Sequence, residues 1–416
     1  MKRVVITGVG AISPLGHDWK TVEARLRSRQ NAVQVIKEWQ VYDGLLTQVG
    51  VPVAAYALPP ERYSRKTTRS MGAVALLGTR ASELALLDAG LLDDSGRTDP
   101  LVRSGQMGIS YGSCSGSPTA IGDFGLMLQN ETTEGINATT YIKMMSHTAA
   151  VNIGVFFGLT GRIVTTSSAC TSSSQGIGYA YEMIQAGKQI AMLAGGSEEL
   201  HATQAAVFDT LFATSTRYNA KPELTPRPYD DNRDGLVLGE GGCTMVLEEL
   251  DHARARGANI YAEIIGYGSN SDGRHVTQPF AETMAEAMRL ALRDAELEPS
   301  AIVYVNGHGT ATEHGDIAES HATRAVFGEK IALSSLKSYM GHTLGACGAL
   351  EAWMSIEMMR SGWFAPTLNL DTLDPRCADL DYLIGDGRTL QTDIVMSNNF
   401  AFGGINTSLI FQRWPD

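Results

Sequence analysis

The chain has 416 residues, 44% hydrophobic, 19% charged and 7% aromatic, with 44 glycines against 14 prolines. This is globular composition with material for a large core, which excludes a disordered or collagen-like chain. A net charge of −12 argues against a general nucleic-acid or anionic-membrane surface, and it leaves an acidic partner only a local basic patch to bind.

The opening MKRVVITGVGAISPLG joins a basic end to apolar residues, as a signal peptide does. Gly8, Gly10, Ser13 and Pro14 break the run and no small-x-small cleavage site follows, so residues 4–7 read as a buried first strand. Apolar spacing predicts a helix over 71–87, with Gly90 as its C-cap, then strands over 107–111 and 162–166. A helix over 172–186 closes at Gly187 and leads to a strand over 190–193. Charged DHARARGAN near 250–258 separates two apolar strands. Beyond it come a helix over 282–295, a strand over 302–305, a helix over 344–359 and a strand over 394–397. Short β-branched runs alternating with longer Ala/Leu-rich ones predict an α/β fold with buried sheets, in two halves, 1–253 and 254–416. No stretch approaches the ~18 uninterrupted apolar residues of a membrane span. Five scattered cysteines without C-x-x-C spacing fit neither a disulfide framework nor a zinc site, so a cytoplasmic location is expected.

Three segments carry candidate chemistry. In TTSSACTSSSQGIG, residues 165–178, Cys170 falls at a strand–helix junction among small residues. A helix N-terminus there would lower the thiol pKa and favour a nucleophilic thiolate; a buried structural cysteine is the commoner fate of such a residue. In VNGHGTATEHGD, residues 305–316, His308 is flanked by glycines that suit a tight loop, and Thr310 and Thr312 add hydroxyls. In SSLKSYMGHTLGACGALE, residues 334–351, Lys337 and His342 precede a helix that holds Glu351. A neutral imidazole there can donate to a carbonyl oxygen while a lysine holds charges in register. Asp230 to Gly235 begins like a calcium loop, but position twelve is Gly241, with Glu240 one place early. No phosphate-binding glycine motif is present, and no catalytic metal is expected.

These segments, with VVITGVGAISPLG, RPYDDNRDGLVLGEGG and NNFAFGGINTSLIF, give the chain a nearly end-to-end resemblance to the β-ketoacyl-acyl-carrier-protein synthases of the elongating Cys–His–His type, in the thiolase superfamily. The resemblance implies a duplicated α-β-α-β-α layered fold, usually dimeric, and decarboxylative Claisen condensation without a separate cofactor, the substrates riding on the phosphopantetheine arm of acyl-carrier protein. It implies that Cys170 takes the acyl group, that His308 and His342 hydrogen-bond the malonyl thioester oxygen, and that Lys337, paired with Glu351, organises the site. The N–H groups of Cys170 and Phe402 would form an oxyanion hole, with Phe402 gating the nucleophile. Thr310, Thr312 and Thr277 would meet the arm. Basic Arg65, Lys66 and Arg69, with Arg217 as a weaker candidate, would dock the acidic carrier protein.

Two departures from the family pattern stand out. Ala401 replaces a glycine in the gating sequence AFGGIN and cannot reach glycine-only backbone angles at low cost, which predicts altered opening of that loop. Ser115 replaces a bulky residue at the acyl pocket, leaving room for longer or unsaturated chains, such as those of aryl polyenes. A thiolase would need a second, glycine-flanked cysteine near the C-terminus, and Cys377 in PRCAD does not supply it. The initiating synthases carry Asn where His342 stands, and nothing indicates the peptide cleft of a cysteine protease. A non-catalytic chain-length partner of a ketosynthase would lack Cys170. The mate of this chain is either a second copy or such a related chain.

Overall fold

The computed structural model describes residues 1–415. Its main elements repeat one order twice. The first half runs β1 (Val4–Ile12), α1 (Ala73–Asp88), β2 (Met107–Gly112), α2 (Thr148–Phe157), β3 (Ile163–Thr166), α3 (Ser172–Gln185), β4 (Ala191–Glu198) and β5 (Gly241–Glu249). The second runs β6 (Ala262–Ser271), α4 (Ala281–Asp294), β7 (Tyr304–Asn306), α5 (Glu313–Phe327), β8 (Ala332–Ser334), α6 (Cys347–Ser361), β9 (Ile394–Ala401) and β10 (Ile405–Arg413).

In each half the strands lie in the same spatial order, first, fifth, fourth, second, third. The halves join where β1 pairs antiparallel with β6, giving an eleven-stranded sheet whose last member is the short strand Asp381–Tyr382. Glycines show the duplication physically. A Cβ on Gly8 or Gly10 would lie 2.5 Å from the Ala85 carbonyl oxygen or 2.1 Å from that of Ala81, and Gly266 and Gly268 meet Ala291 and Ala287 at the same 2.5 and 2.1 Å. Each G-x-G lets a helix, α1 or α4, lie directly on its strand.

Helices α3 and α6 pack against each other in the central core, through Ile177, Ala180, Ile184, Ala349, Leu350 and Trp353. Helices α1 and α2 cover β2 on one outer face; α4 and α5 cover β7 on the other. The result is the five-layer α-β-α-β-α arrangement. The expected C-caps are present: Gly90 and Gly187 both have φ +68, and Leu91 N–H returns to the Leu86 carbonyl as Lys188 N–H does to that of Met183. The first strand runs five residues further than expected, and β4 and β9 also extend past their apolar runs. Helices α2 and α5 were not anticipated. Helix α5 carries the acidic and histidine-rich stretch after Thr312, which lacks a clean apolar period. Among the described residues no helix is long and apolar enough to cross a membrane.

Candidate active site

Strand β3 ends in a turn that is tightened by Ala169, held at φ +51, and passes through a single 3-10 turn into α3. Local hydroxyls satisfy the turn's backbone: Ser172 Oγ accepts from Ser168 N–H at 3.0 Å and donates to the Ala169 carbonyl at 2.7 Å. This presents Cys170, only 6% exposed, to a cavity of about 520 Å³ that also touches His308, His342, Thr310, Thr312, Thr277 and Phe402.

His308 follows β7, and its loop is fastened from below by Glu319 of α5, whose carboxylate accepts N–H bonds from His308 and Gly309 at 2.6 and 2.7 Å. Burial pushes Glu319 up to about 7 against these bonds. His342 is clipped by backbone bonds on both sides, its N–H to the Val237 carbonyl at 2.7 Å and its carbonyl to Gly239 N–H at 2.9 Å. That explains the LVLGEGG segment, which reaches across to hold a histidine of the other half. The apparent calcium loop has its own partners. Asp230 accepts the N–H groups of Asn232, Asp371 and Thr372, and Arg233 pairs with Asp374 at 2.7 Å while donating to the Thr312 and Glu313 carbonyls.

The two imidazoles stand perpendicular, with centroids 5.2 Å apart. His342 Nε2 is 2.9 Å from Cys170 Sγ, and its Nδ1 accepts the Leu344 N–H at 3.3 Å. The proton of a neutral ring is therefore on Nε2, facing the sulfur. Lys337 Nζ lies 3.2 Å from His308 Nδ1 and 2.5 Å from Glu351 Oε1, and Glu351 Oε2 accepts from Asn399 at 2.8 Å. Burial opposes the Lys337 charge, but Glu351 outweighs it and holds the ammonium above its ordinary pKa. Lys337 thus donates to Nδ1, and His308 carries its proton on Nε2. Burial, then the Lys337 charge, drives both histidines well below the usual imidazole value.

The thiol departs from the expectation of a lowered pKa. Burial raises Cys170 to about 12, and the Lys337 charge with the backbone N–H groups of Phe402 and Cys170 offsets only part of it. Desolvation outweighs the helix terminus because the thiol is almost wholly enclosed.

Two groups of potential metal ligands cluster here, Cys170 with His308 and His342, and His308 with Cys347 and Glu351, their ligand atoms within 4.8 Å of one another. In the second the chain's own cation, Lys337, already bonds His308 and Glu351. In the first both imidazoles turn N–H groups rather than lone pairs inward. These donors suit an anionic oxygen better than a metal.

Thr310 and Thr312 share a hydroxyl bond of 2.9 Å on the cavity wall, and Thr277 lies partly buried at its rim. Phe402 stacks on Phe208 with ring centroids 5.4 Å apart. Ala401 is unstrained in this conformation: it ends β9 opposite Ile405, while Gly403 and Gly404 take the positive φ angles. Ser115 does not touch the cavity; its hydroxyl donates to buried Glu198 at 2.9 Å and accepts from Gln204 at 2.8 Å. Arg65, Lys66 and Arg69 are exposed on and just after the short helix Arg65–Thr68. Arg217 is exposed but bonded to the Asn232 and Arg233 carbonyls. Sequence reasoning missed Glu319, Asn399 and Cys347. The last two lie inside motifs already singled out, but only the fold gives them partners.

Family models for the β-ketoacyl synthase N-terminal domain and C-terminal domain match residues 1–253 and 261–371. A 3-oxoacyl-[acyl-carrier-protein] synthase 1 of Haemophilus influenzae is 37% identical over 417 residues, covering all of both chains. A crystal structure of a β-ketoacyl synthase from Burkholderia phymatum STM815 superposes with a TM-score of 0.96 at 57% identity, and the ishigamide ketosynthase/chain length factor with 0.88 at 28%, each over the full length of both chains.

Proposed function

The chain belongs to the β-ketoacyl synthase family, and from that premise we propose how its residues divide the work of a 3-oxoacyl-acyl-carrier-protein synthase, an acyltransferase that forms carbon–carbon bonds. The observation that carries the reading is one sulfur facing two neutral imidazoles whose Nε2 protons point into the same cavity.

Cys170 Sγ attacks the acyl thioester on the carrier protein's phosphopantetheine arm. The arm leaves as a thiolate that takes up the thiol proton, and the acyl group stays on Cys170. The backbone N–H groups of Cys170 and Phe402 receive the oxyanion of the tetrahedral intermediate. Malonyl-carrier protein then enters. His308 and His342 donate to its thioester oxygen, so the electron pair released with carbon dioxide settles as an enolate at that oxygen. The enolate carbon attacks the acyl thioester, forms the new C–C bond and expels Cys170 as a thiolate, which takes up a proton from water to restore the thiol. Lys337 and Glu351 keep the His308 proton on Nε2, Thr310, Thr312 and Thr277 guide the arm, and Phe402 parts from Phe208 to admit it.

Arg65, Lys66 and Arg69 offer the acidic carrier protein a basic face on a chain of charge −12, with exposed Arg217 as a weaker candidate for the same docking role. A mate, either a second copy or a related chain-length subunit, fits the open edge of β3, the outermost strand of its end of the sheet, where Ile163 is 46% and neighbouring Val155 77% exposed. The two halves, 1–253 and 254–416, act as the duplicated units, and five free cysteines suit a reducing cytoplasm. Ser115 lies off the cavity, tied back to Glu198, so the reading of a specialised chain such as a polyene rests on the small size of that residue alone. Intact-protein mass after incubation with acyl-carrier proteins bearing saturated and polyenoyl chains tests both readings. An acyl-sized gain supports the synthase, and poor loading by polyenoyl donors beside good saturated ones removes the specialised role. No gain from any donor would favour the non-catalytic partner.

A further inference from the structure

Cys347 is a second thiol in this site, fully buried, with no part in the steps above. It opens α6, five residues after His342. Its Sγ donates to the carbonyl oxygen of Cys170 at 3.2 Å and accepts from Asn399 Nδ2 at 3.6 Å. Asn399 is the residue that also holds Glu351, and through it Lys337 and His308. One thiol therefore touches the backbone of the nucleophile on one side and the lysine-centred network on the other.

We propose that Cys347 is a positioning residue, whose S–H clamps the Cys170 carbonyl and so holds the Cys170 sulfur at hydrogen-bond distance from His342. The turn needs such a clamp. Ala169 sits in a left-handed conformation that costs a non-glycine residue free energy, and the peptide that follows Cys170 is fixed by the Cys347 bond. The clamp also spans the two halves. Cys170 lies in the first and His342 and Cys347 in the second, where the single 3-10 turn Leu344–Ala346 links histidine to thiol. Two residues after the thiol, Ala349 N–H donates to Ser173 Oγ at 3.0 Å and draws the starts of α6 and α3 together in the same way. Burial keeps the Cys347 thiol well above its ordinary pKa, so it stays a protonated donor rather than a competing nucleophile.

This inference rests on the acyl-transfer role of Cys170, and the test separates the two. Wild type, Cys347→Ala and Cys347→Ser are compared by rapid-quench mass spectrometry of Cys170 acylation and, independently, by the rate of Cys170 alkylation with iodoacetamide, which needs no carrier protein. Removing the donor should slow acylation about fivefold, the scale of one neutral hydrogen bond, with KM for acyl-carrier protein unchanged. Serine, which restores an O–H to the same carbonyl, should recover the rate to within about twofold. Wild-type acylation in Cys347→Ala, or a serine variant as slow as the alanine one, overturns the clamp. No acylation even in wild type, beside an alkylation series in the expected order, overturns the acyl-transfer reading and leaves the clamp standing.

Discussion

Lys337 Nζ stands 3.2 Å from His308 Nδ1 while forming a buried ion pair with Glu351, so a lysine far from the surface fixes which end of a histidine carries its proton. Lys337→Met would leave the Glu351 carboxylate buried without its cation, at a cost of about 3–5 kcal/mol. Adding Glu351→Gln should return most of that stability but little condensation activity, because the His308 proton is no longer held on Nε2. Denaturant titration and turnover measured on both variants check this. A single variant as stable as wild type would show that the pair does not carry the site.

Cys170→Ala should abolish the acyl adduct in intact-mass measurements while leaving thermal stability nearly unchanged. An adduct that persisted in this variant would place the nucleophile elsewhere, with Cys347 as the nearest buried thiol to map by peptide digestion.

The rate of condensation should show no acid limb at the ordinary imidazole value of 6.5, since both histidines are held well below it. Activity should fall only at lower pH. Stability follows the same sign. Below 6.5 the unfolded chain binds protons that the buried rings refuse, so their contribution is present above that value and is lost as pH falls. An activity midpoint at 6.5 would mean that at least one ring is exposed to solvent in the working enzyme.

Charge reversal at Arg65, Lys66 or Arg69 should raise KM for acyl-carrier protein several-fold with kcat unchanged, and the effect should shrink as salt is added. An unchanged KM in all three variants would move docking to another face.

Ala401→Gly should lower stability by about 0.5–1 kcal/mol, because Ala401 sits in extended backbone at the end of a strand. It should also speed acyl loading if opening of the Phe402 loop requires angles that only glycine reaches easily. Stopped-flow loading unchanged by the substitution would assign the hinge to Gly403 and Gly404.

Much of this was legible in the chain itself. The alternation of short β-branched runs with Ala/Leu-rich ones placed strands and helices within a few residues, and Gly90 and Gly187 marked two helix ends. The four chemical side chains Cys170, His308, Lys337 and His342 were found at strand–helix junctions because glycines and small residues mark such turns. Helix α5 was hidden, since its apolar residues lack a regular period and its acidic Glu319 faces inward to bind the His308 loop.

What the sequence determined by itself was most of the inventory: the strands and helices other than α2 and α5, and which reactive groups lie at their ends. Tertiary structure alone decided who meets whom and in what charge state. Cys170 and His342 are 172 residues apart and 2.9 Å in contact, an encounter set by packing α3 against α6 rather than by any local pattern. The Cys170 pKa is the clearest case. Its helix terminus and small neighbours pointed downward, yet the folded protein raises it to about 12, because desolvation depends on every element packed around the thiol and cannot be read from its neighbours in the chain.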